Sequence, residues 1–181
     1  MTGSPTPLIA GNWKMHGSTA FASDLAGSLA GRMSDRGDKR FEMLLCPPAL
    51  LLGAVRDAVG TSSISVGGQD CHTAEQGAHT GDISAAMLAD AGCSYVIVGH
   101  SERRADHGED DSLVCAKASA AQSAGLVPVV CIGETLEQRD AGKEQLTDQA
   151  GIGDFVAFVQ ALRESAEIVI NEEAVTGSDL L

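Results

Sequence analysis

Aromatic residues are scarce, only 3% of 181, although hydrophobic residues as a whole make up 44%. A core with so few rings has to be aliphatic and closely packed, and the 21 glycines allow close approach. That composition suits alternating strands and helices. Basic residues are also few: 12 Lys and Arg stand against 25 Asp and Glu, a formal charge of −13. Such a surface repels phosphate backbones and anionic lipid, so neither nucleic acid nor a membrane is an expected partner. An anionic small molecule would need a local positive focus. There is no long apolar run, and Met1 to Thr6 carry no charged leader-type segment. No secretory signal or transmembrane span is expected, and the expected compartment is the cytoplasm.

Cysteine pairing is missing too. Cys46, Cys71, Cys93, Cys115 and Cys131 are odd in number and form no C-x-x-C pair, so reduced, buried thiols are expected. Cys71-His72 hints at a metal, but no second ligand pair stands at suitable spacing, and no metal is expected. The length is enough for one domain with a sizeable core, and a single domain over 1–181 is expected.

The chain reads as alternating elements. Strands are expected at Pro7–Ala10, Phe41–Cys46, Ser63–Gly68, Tyr95–Gly99 and Val127–Ile132. Helices are expected at Ser18–Met33 (apolar face Phe21, Leu25, Leu29, Met33), Ala49–Val59, Ser84–Ala91 and Ser112–Ala124, with Gly125 as C-cap. Gln69–Asp82 is a long polar loop. Further on, Asp154–Ser165 has the spacing of an amphipathic helix, Glu167–Ile170 of a sixth strand, and Asn171–Leu181 of a polar tail. The bare G-x-G at Gly151–Gly153 is weak evidence for a phosphate loop. Strand–helix alternation at about thirty-residue spacing implies parallel βαβ units. The sharpest local signal is Val96-Ile97-Val98-Gly99-His100-Ser101-Glu102-Arg103-Arg104. It places an imidazole just past a buried strand, where acid–base or electrophilic chemistry is commonly sited.

Three segments together resemble triosephosphate isomerase: Gly11-Asn12-Trp13-Lys14-Met15, Gly99–Arg104, and Cys131-Ile132-Gly133-Glu134-Thr135. The loop with Gln76-Gly77-Ala78-His79-Thr80-Gly81 is similar to that family's dimer loop. The motifs keep the family's order and spacing over Leu8 to Gly142. The resemblance implies an α/β, TIM-barrel-like (βα) fold. An eight-stranded barrel typically takes about 250 residues, so an incomplete barrel of about six strands is expected here.

In that family, a standard example of an enzyme that keeps its electrophile neutral, a His after strand 4 polarises the substrate carbonyl. The resemblance carries that role to His100. Lys14 would neutralise phosphate and enediolate charge with Asn12 beside it, giving the local positive focus. The implied substrate is a small phosphorylated triose, with no cofactor and no metal. Trp13 is expected to pack beneath the site, and Glu102, Arg103 and Arg104 to hold loops through ion pairs. The resemblance further implies self-association, as a homodimer or larger, through the Gln69–Asp82 loop, with Thr80 reaching across.

The family's Tyr-Glu-Pro-Val-Trp base segment and double-glycine phosphate motif find no counterpart. Two alignments of the tail compete. In one, Ile168–Val175 is strand 6 and Glu173 falls on the base, which suits the spacing from Cys131. In the other, Glu172–Ser178 resembles the strand-7 turn and strand 6 is deleted, which suits Val175-Thr176-Gly177-Ser178 and the phenylalanines of the preceding helix. Two functions follow as expectations: a triose-phosphate isomerase of weak or lost activity, or a degenerate oligomeric scaffold or anion-binding module. A different aldose–ketose isomerase is a third, with no residue of its own arguing for it.

Overall fold

A computed structural model describes residues 6–34 and 41–133. The expectations for Asp154–Ser165, Glu167–Ile170 and Glu173 lie outside the described residues. One compact unit spans Thr6–Gly133. Five strands, β1 (Leu8–Asn12), β2 (Glu42–Cys46), β3 (Ile64–Gly68), β4 (Tyr95–Val98) and β5 (Val127–Val130), form a parallel sheet. Their order is β1-β2-β3-β4-β5. Each strand pairs only with its sequence neighbours, so the winding never reverses. A doubly wound sheet would reverse at a switch point; an unreversed order instead curls the sheet toward a barrel.

Between strands run α1 (Thr19–Ser34), α2 (Leu52–Val59), α3 (Ala85–Asp90), α4 (Ser101–His107) and α5 (Asp111–Ser123). Alternation along the strands separates two apolar clusters. Leu45, Val66, Val96 and Val98 pack with the helices, among them Val55, Leu88 and Val114. Leu44, Cys46 and Ile97 point the other way, joined by Tyr95, Val129 and Cys131. Burial on both faces is what a parallel sheet requires. Gly68 is needed for this layering, because a Cβ there would come within 2.6 Å of Leu88 Cδ1.

Several elements depart from their expected form. The fully buried residues of α1 are Ala22, Ala26 and Ala30, one residue round from the expected stripe; Leu29 and Met33 of that stripe pack against the core part-buried, while Phe21 is exposed. Small alanines let α1 sit close to its neighbours, and Phe21 instead meets the Trp13 ring edge-on at 5.6 Å. Ala49–Leu51 forms a 3-10 turn ahead of α2. It begins on Pro48, whose carbonyl accepts from Leu51 N–H at 2.8 Å. The cap of α5 falls on Ala124, with Gly125 one place later at φ +79°. β5 ends at Val130, and Ile132 is exposed. The α4 helix was not anticipated at all.

All five cysteines are free. Burial pushes the Cys46 thiol up to about 12 and those of Cys71 and Cys93 to about 11. The expectation of buried thiols fails for Cys115, which is exposed on α5, and in part for Cys131, which is half-buried.

Candidate functional site

The C-terminal ends of the strands gather the polar residues. Asn12 closes β1, Gln69 and Asp70 directly follow β3, and His100 follows β4 after Gly99. Asn12, Lys14, Gln69, His100, Glu102 and Arg103 all line one open cavity of about 530 Å³. Asn12, Lys14 and His100 are thus brought together from two strand ends that are not neighbours in the sheet.

Each is set by its own local geometry. Gly99 turns the chain at φ +69°, and a Cβ there would lie 2.7 Å from Val114 Cγ1. His100 then becomes the N-cap of α4, its Nδ1 accepting from Glu102 N–H at 3.3 Å. A backbone N–H can only donate, so Nδ1 is the unprotonated nitrogen and the neutral ring carries its hydrogen on Nε2. A Glu102 oxygen also stands 3.5 Å from Nδ1. Lys14 Nζ holds that carboxylate through its other oxygen at 2.7 Å. The shorter amide contact therefore decides the tautomer. On the opposite side, Asn12 Oδ1 accepts from Lys14 N–H at 3.0 Å, and residue 14 takes a left-handed φ of +51°. Trp13, the next residue, packs part-buried against the core.

The charged residues of the loops pair as anticipated. Arg104 reaches Asp111 at 2.8 Å and the Gly99 carbonyl at 2.8 Å. Arg103 Nε contacts Glu109 at 2.6 Å and Asp70 at 3.0 Å. Lys117, buried with Glu109, completes a quartet with the half-buried Arg103 and Asp70, 2.8 Å from both Asp70 oxygens and 2.6 Å from Glu109. Burial works to raise the Glu109 carboxyl, but hydrogen bonds from Lys117 and Arg103 together hold it below the ordinary range. Burial leaves Asp70 raised against the same two cations. Both cations contact both carboxylates. Arg103 is thereby occupied, while the half-exposed Lys14 and Glu102 meet at the mouth.

Glu109 and Lys117 were not singled out in the sequence. A signal for Lys117 exists: it falls on the buried face of α5 with Val114 and Ala121, where a cation needs an acidic partner. Gln69 was noted only as a loop boundary, yet its Nε2 donates to the carbonyls of Lys14 at 2.9 Å and Cys46 at 2.8 Å.

One cluster with metal-ligand chemistry occurs among the described residues: His72, His79 and Asp82, on the Gln69–Asp82 loop. His72 Nδ1 already accepts from Ala74 N–H at 2.9 Å. Its Nε2 lies 3.9 Å from Asp82.

Fold and site define a (βα) barrel-type protein whose polar residues collect at the carboxyl ends of its strands. Comparison with known proteins narrows this. The sequence profile of triosephosphate isomerase matches residues 7–173. A triosephosphate isomerase of Bradyrhizobium sp. (strain ORS 278) is 58% identical over 143 residues, 78% of this chain and 56% of that protein. One from Bartonella bacilliformis is 54% identical over 140 residues, 77% of this chain and 55% of that one. The crystal structure of triosephosphate isomerase from Bartonella henselae superimposes with a TM-score of 0.69 at 48% identity. It covers 77% of this chain and 56% of that one. The chain belongs to the triosephosphate isomerase family, and it spans about half the length of the curated relatives it matches. No helix among the described residues is long and apolar enough to cross a membrane.

Proposed function

We propose that Asn12, Lys14 and His100 bind a phosphorylated triose and polarise its carbonyl, in the interconversion of dihydroxyacetone phosphate and glyceraldehyde 3-phosphate. The observation that carries this reading is their convergence on one cavity from two separate strand ends. Taking a proton from the carbon beside a carbonyl builds an oxyanion. A neutral imidazole presenting Nε2–H and an ammonium stabilise that charge without reorganising. Neither role requires a cofactor or a metal. Glu173, the one candidate for the base, lies outside the described residues. The 181 residues hold no counterpart of the family's Tyr-Glu-Pro-Val-Trp segment; positioned general-base catalysis contributes about 10² to 10⁴ in rate, so this chain by itself is expected to turn over well below the relatives' rate.

The test is isomerase activity of protein purified from a host lacking its own enzyme, with Lys14→Ala and Glu173→Gln beside it. Activity lost in both variants identifies Glu173 as the base. Activity lost only with Lys14→Ala moves the base elsewhere, and an inactive parent sinks the isomerase reading.

A second reading, an oligomeric scaffold or anion-binding module, is favoured by the loop: residues 75–82 are exposed throughout. Self-association through Gln69–Asp82 would cover them. Light scattering showing a monodisperse monomer would overturn it.

A further inference from the structure

Asp82 stands apart from the carboxylates of the quartet. Asp70 and Glu109 are held by Lys117 and Arg103, whereas Asp82 meets no Lys or Arg among the described residues. Its ion-pair contact is with His72, Nε2 to Oδ2 at 3.9 Å. The His72 ring lies against that of His79, with centroids 4.0 Å apart. One donor atom from each of the three side chains falls within 4.8 Å of the others. Backbone bonds fix this grouping. His72 N–H donates to the Ile83 carbonyl at 2.8 Å, and His72 bridges Ser84, which caps α3. Asp82 N–H donates to the His79 carbonyl at 3.1 Å, so a single turn joins the two exposed side chains. Gly77 lies beside the His79 ring, where a Cβ would stand 3.3 Å from Cδ2 and Nε2. His72 and Asp82 also line a cavity of about 180 Å³, room for an ion with its water.

We infer that His72, His79 and Asp82 form a binding site for a borderline divalent cation, zinc above all, on the Gln69–Asp82 loop. Two imidazoles and one carboxylate suit such an ion, whereas magnesium and calcium take oxygen ligands. Donors around a tetrahedral zinc, at bonds of about 2.0–2.2 Å, lie about 3.3 Å apart. His79 and Asp82 are exposed, so rotation of their side chains closes the remaining gap. Three protein ligands leave a fourth position for water. Cys71 is not that fourth ligand, because it is buried and its thiol turns to the Lys117 carbonyl at 3.7 Å. The ion has one competitor. His72 Nδ1 accepts from Ala74 N–H at 2.9 Å. Zinc on Nε2 moves the ring proton to Nδ1, and zinc on Nδ1 takes the lone pair itself. Either way the Ala74 amide is released. Nothing in this site depends on the isomerase reading.

The experiment titrates the full chain, stripped with chelator, with zinc and separately with magnesium, by calorimetry. His79→Ala and Asp82→Asn are run beside it, with Cys115→Ser as the control for the exposed thiol. The parent is expected to take one zinc ion per chain at this site and no magnesium at the same concentration. His79→Ala and Asp82→Asn should each weaken zinc binding by about a hundredfold or more, since losing even a supporting residue costs about 10–100-fold. Cys115→Ser should leave the affinity unchanged. The amide resonance of Ala74 is read in parallel; it should shift when zinc is added to the parent and stay in place in Asp82→Asn. Parent-like affinity in His79→Ala and Asp82→Asn puts the zinc elsewhere and overturns the inference. So does an absence of zinc uptake at millimolar zinc, or magnesium bound as tightly as zinc. If either variant does not fold, the Ala74 amide of the parent decides, and a resonance unmoved by zinc overturns the site.

Discussion

His100 and Lys14 line one cavity, yet one is fixed by buried packing and the other by a half-exposed turn. His100 stands between Gly99, packed on Val114, and a helix whose Arg103 pairs with the buried Glu109. Lys14 is followed by exposed Met15 and His16, and its side chain is 52% exposed. His100 is placed by the same interactions that stabilise the domain. The cation is placed by one carboxamide and one surface ion pair. Damage to the fold should therefore begin on the His100 side, and damage to ligand binding alone on the Lys14 side.

The largest effect is expected from Lys117→Met. It leaves the buried Glu109 and the half-buried Asp70 with Arg103 as their remaining cation in the quartet, and breaking a buried pair in this way costs about 3–5 kcal/mol. Urea unfolding measures it, with Lys14→Met as the reference on the exposed side. Equal losses in the two variants would erase the distinction drawn here.

Next comes Gly99→Ala. The left-handed backbone costs an alanine about 1–2 kcal/mol, and the contact at 2.7 Å with Val114 adds overpacking of about 1–3 kcal/mol. Val114→Ala in the same chain should restore part of the loss, because the clash is with its methyls. If the double variant is merely additive, the helix α5 does not constrain the turn before His100.

Acid provides a third lever on the quartet. Glu109 is held below its ordinary range in the fold. Its contribution is therefore complete above the unfolded carboxylate value, about 4.3, and is lost as pH falls through the lower folded value. Asp70 is raised and has the opposite sign. Glu109→Gln is thus the variant that isolates the effect: it should flatten the decline of stability with acid. An unchanged acid profile would mean that Glu109 does not carry it.

Most of this arrangement was legible in the sequence where a short motif coincides with a strand end. His100 stood out by its place after a buried strand, while Asn12 and Lys14 were picked out by the family resemblance of Gly11–Met15; parallel strands deliver the residues that follow them to one rim. α4 was not legible because it buries no residue. A helix made by a histidine cap and ion pairs leaves no apolar period to read. The stripe on α1 was legible only in part: Leu29 and Met33 do pack against the core, but close packing chose Ala22, Ala26 and Ala30 for full burial ahead of Phe21 and Leu25. Gln69 was hidden because its role depends on two carbonyls from distant strand ends and on the φ of residue 14.

The smallest stability effect, and the sharpest test of the comparison, comes from Glu102→Gln. Lys14 lowers the Glu102 carboxyl through a hydrogen bond, but both side chains are about half exposed, 52% and 51%. Such pairs contribute little to folding and are screened by salt. The unfolding midpoint should not move. Phosphate affinity should rise, because Glu102 competes with any anion for the same ammonium, and the gain should shrink as salt is added. A large fall in midpoint would mean that the ion pair, rather than Gln69, holds the Lys14 turn. An unchanged phosphate affinity would mean that the anion does not meet Lys14 at all.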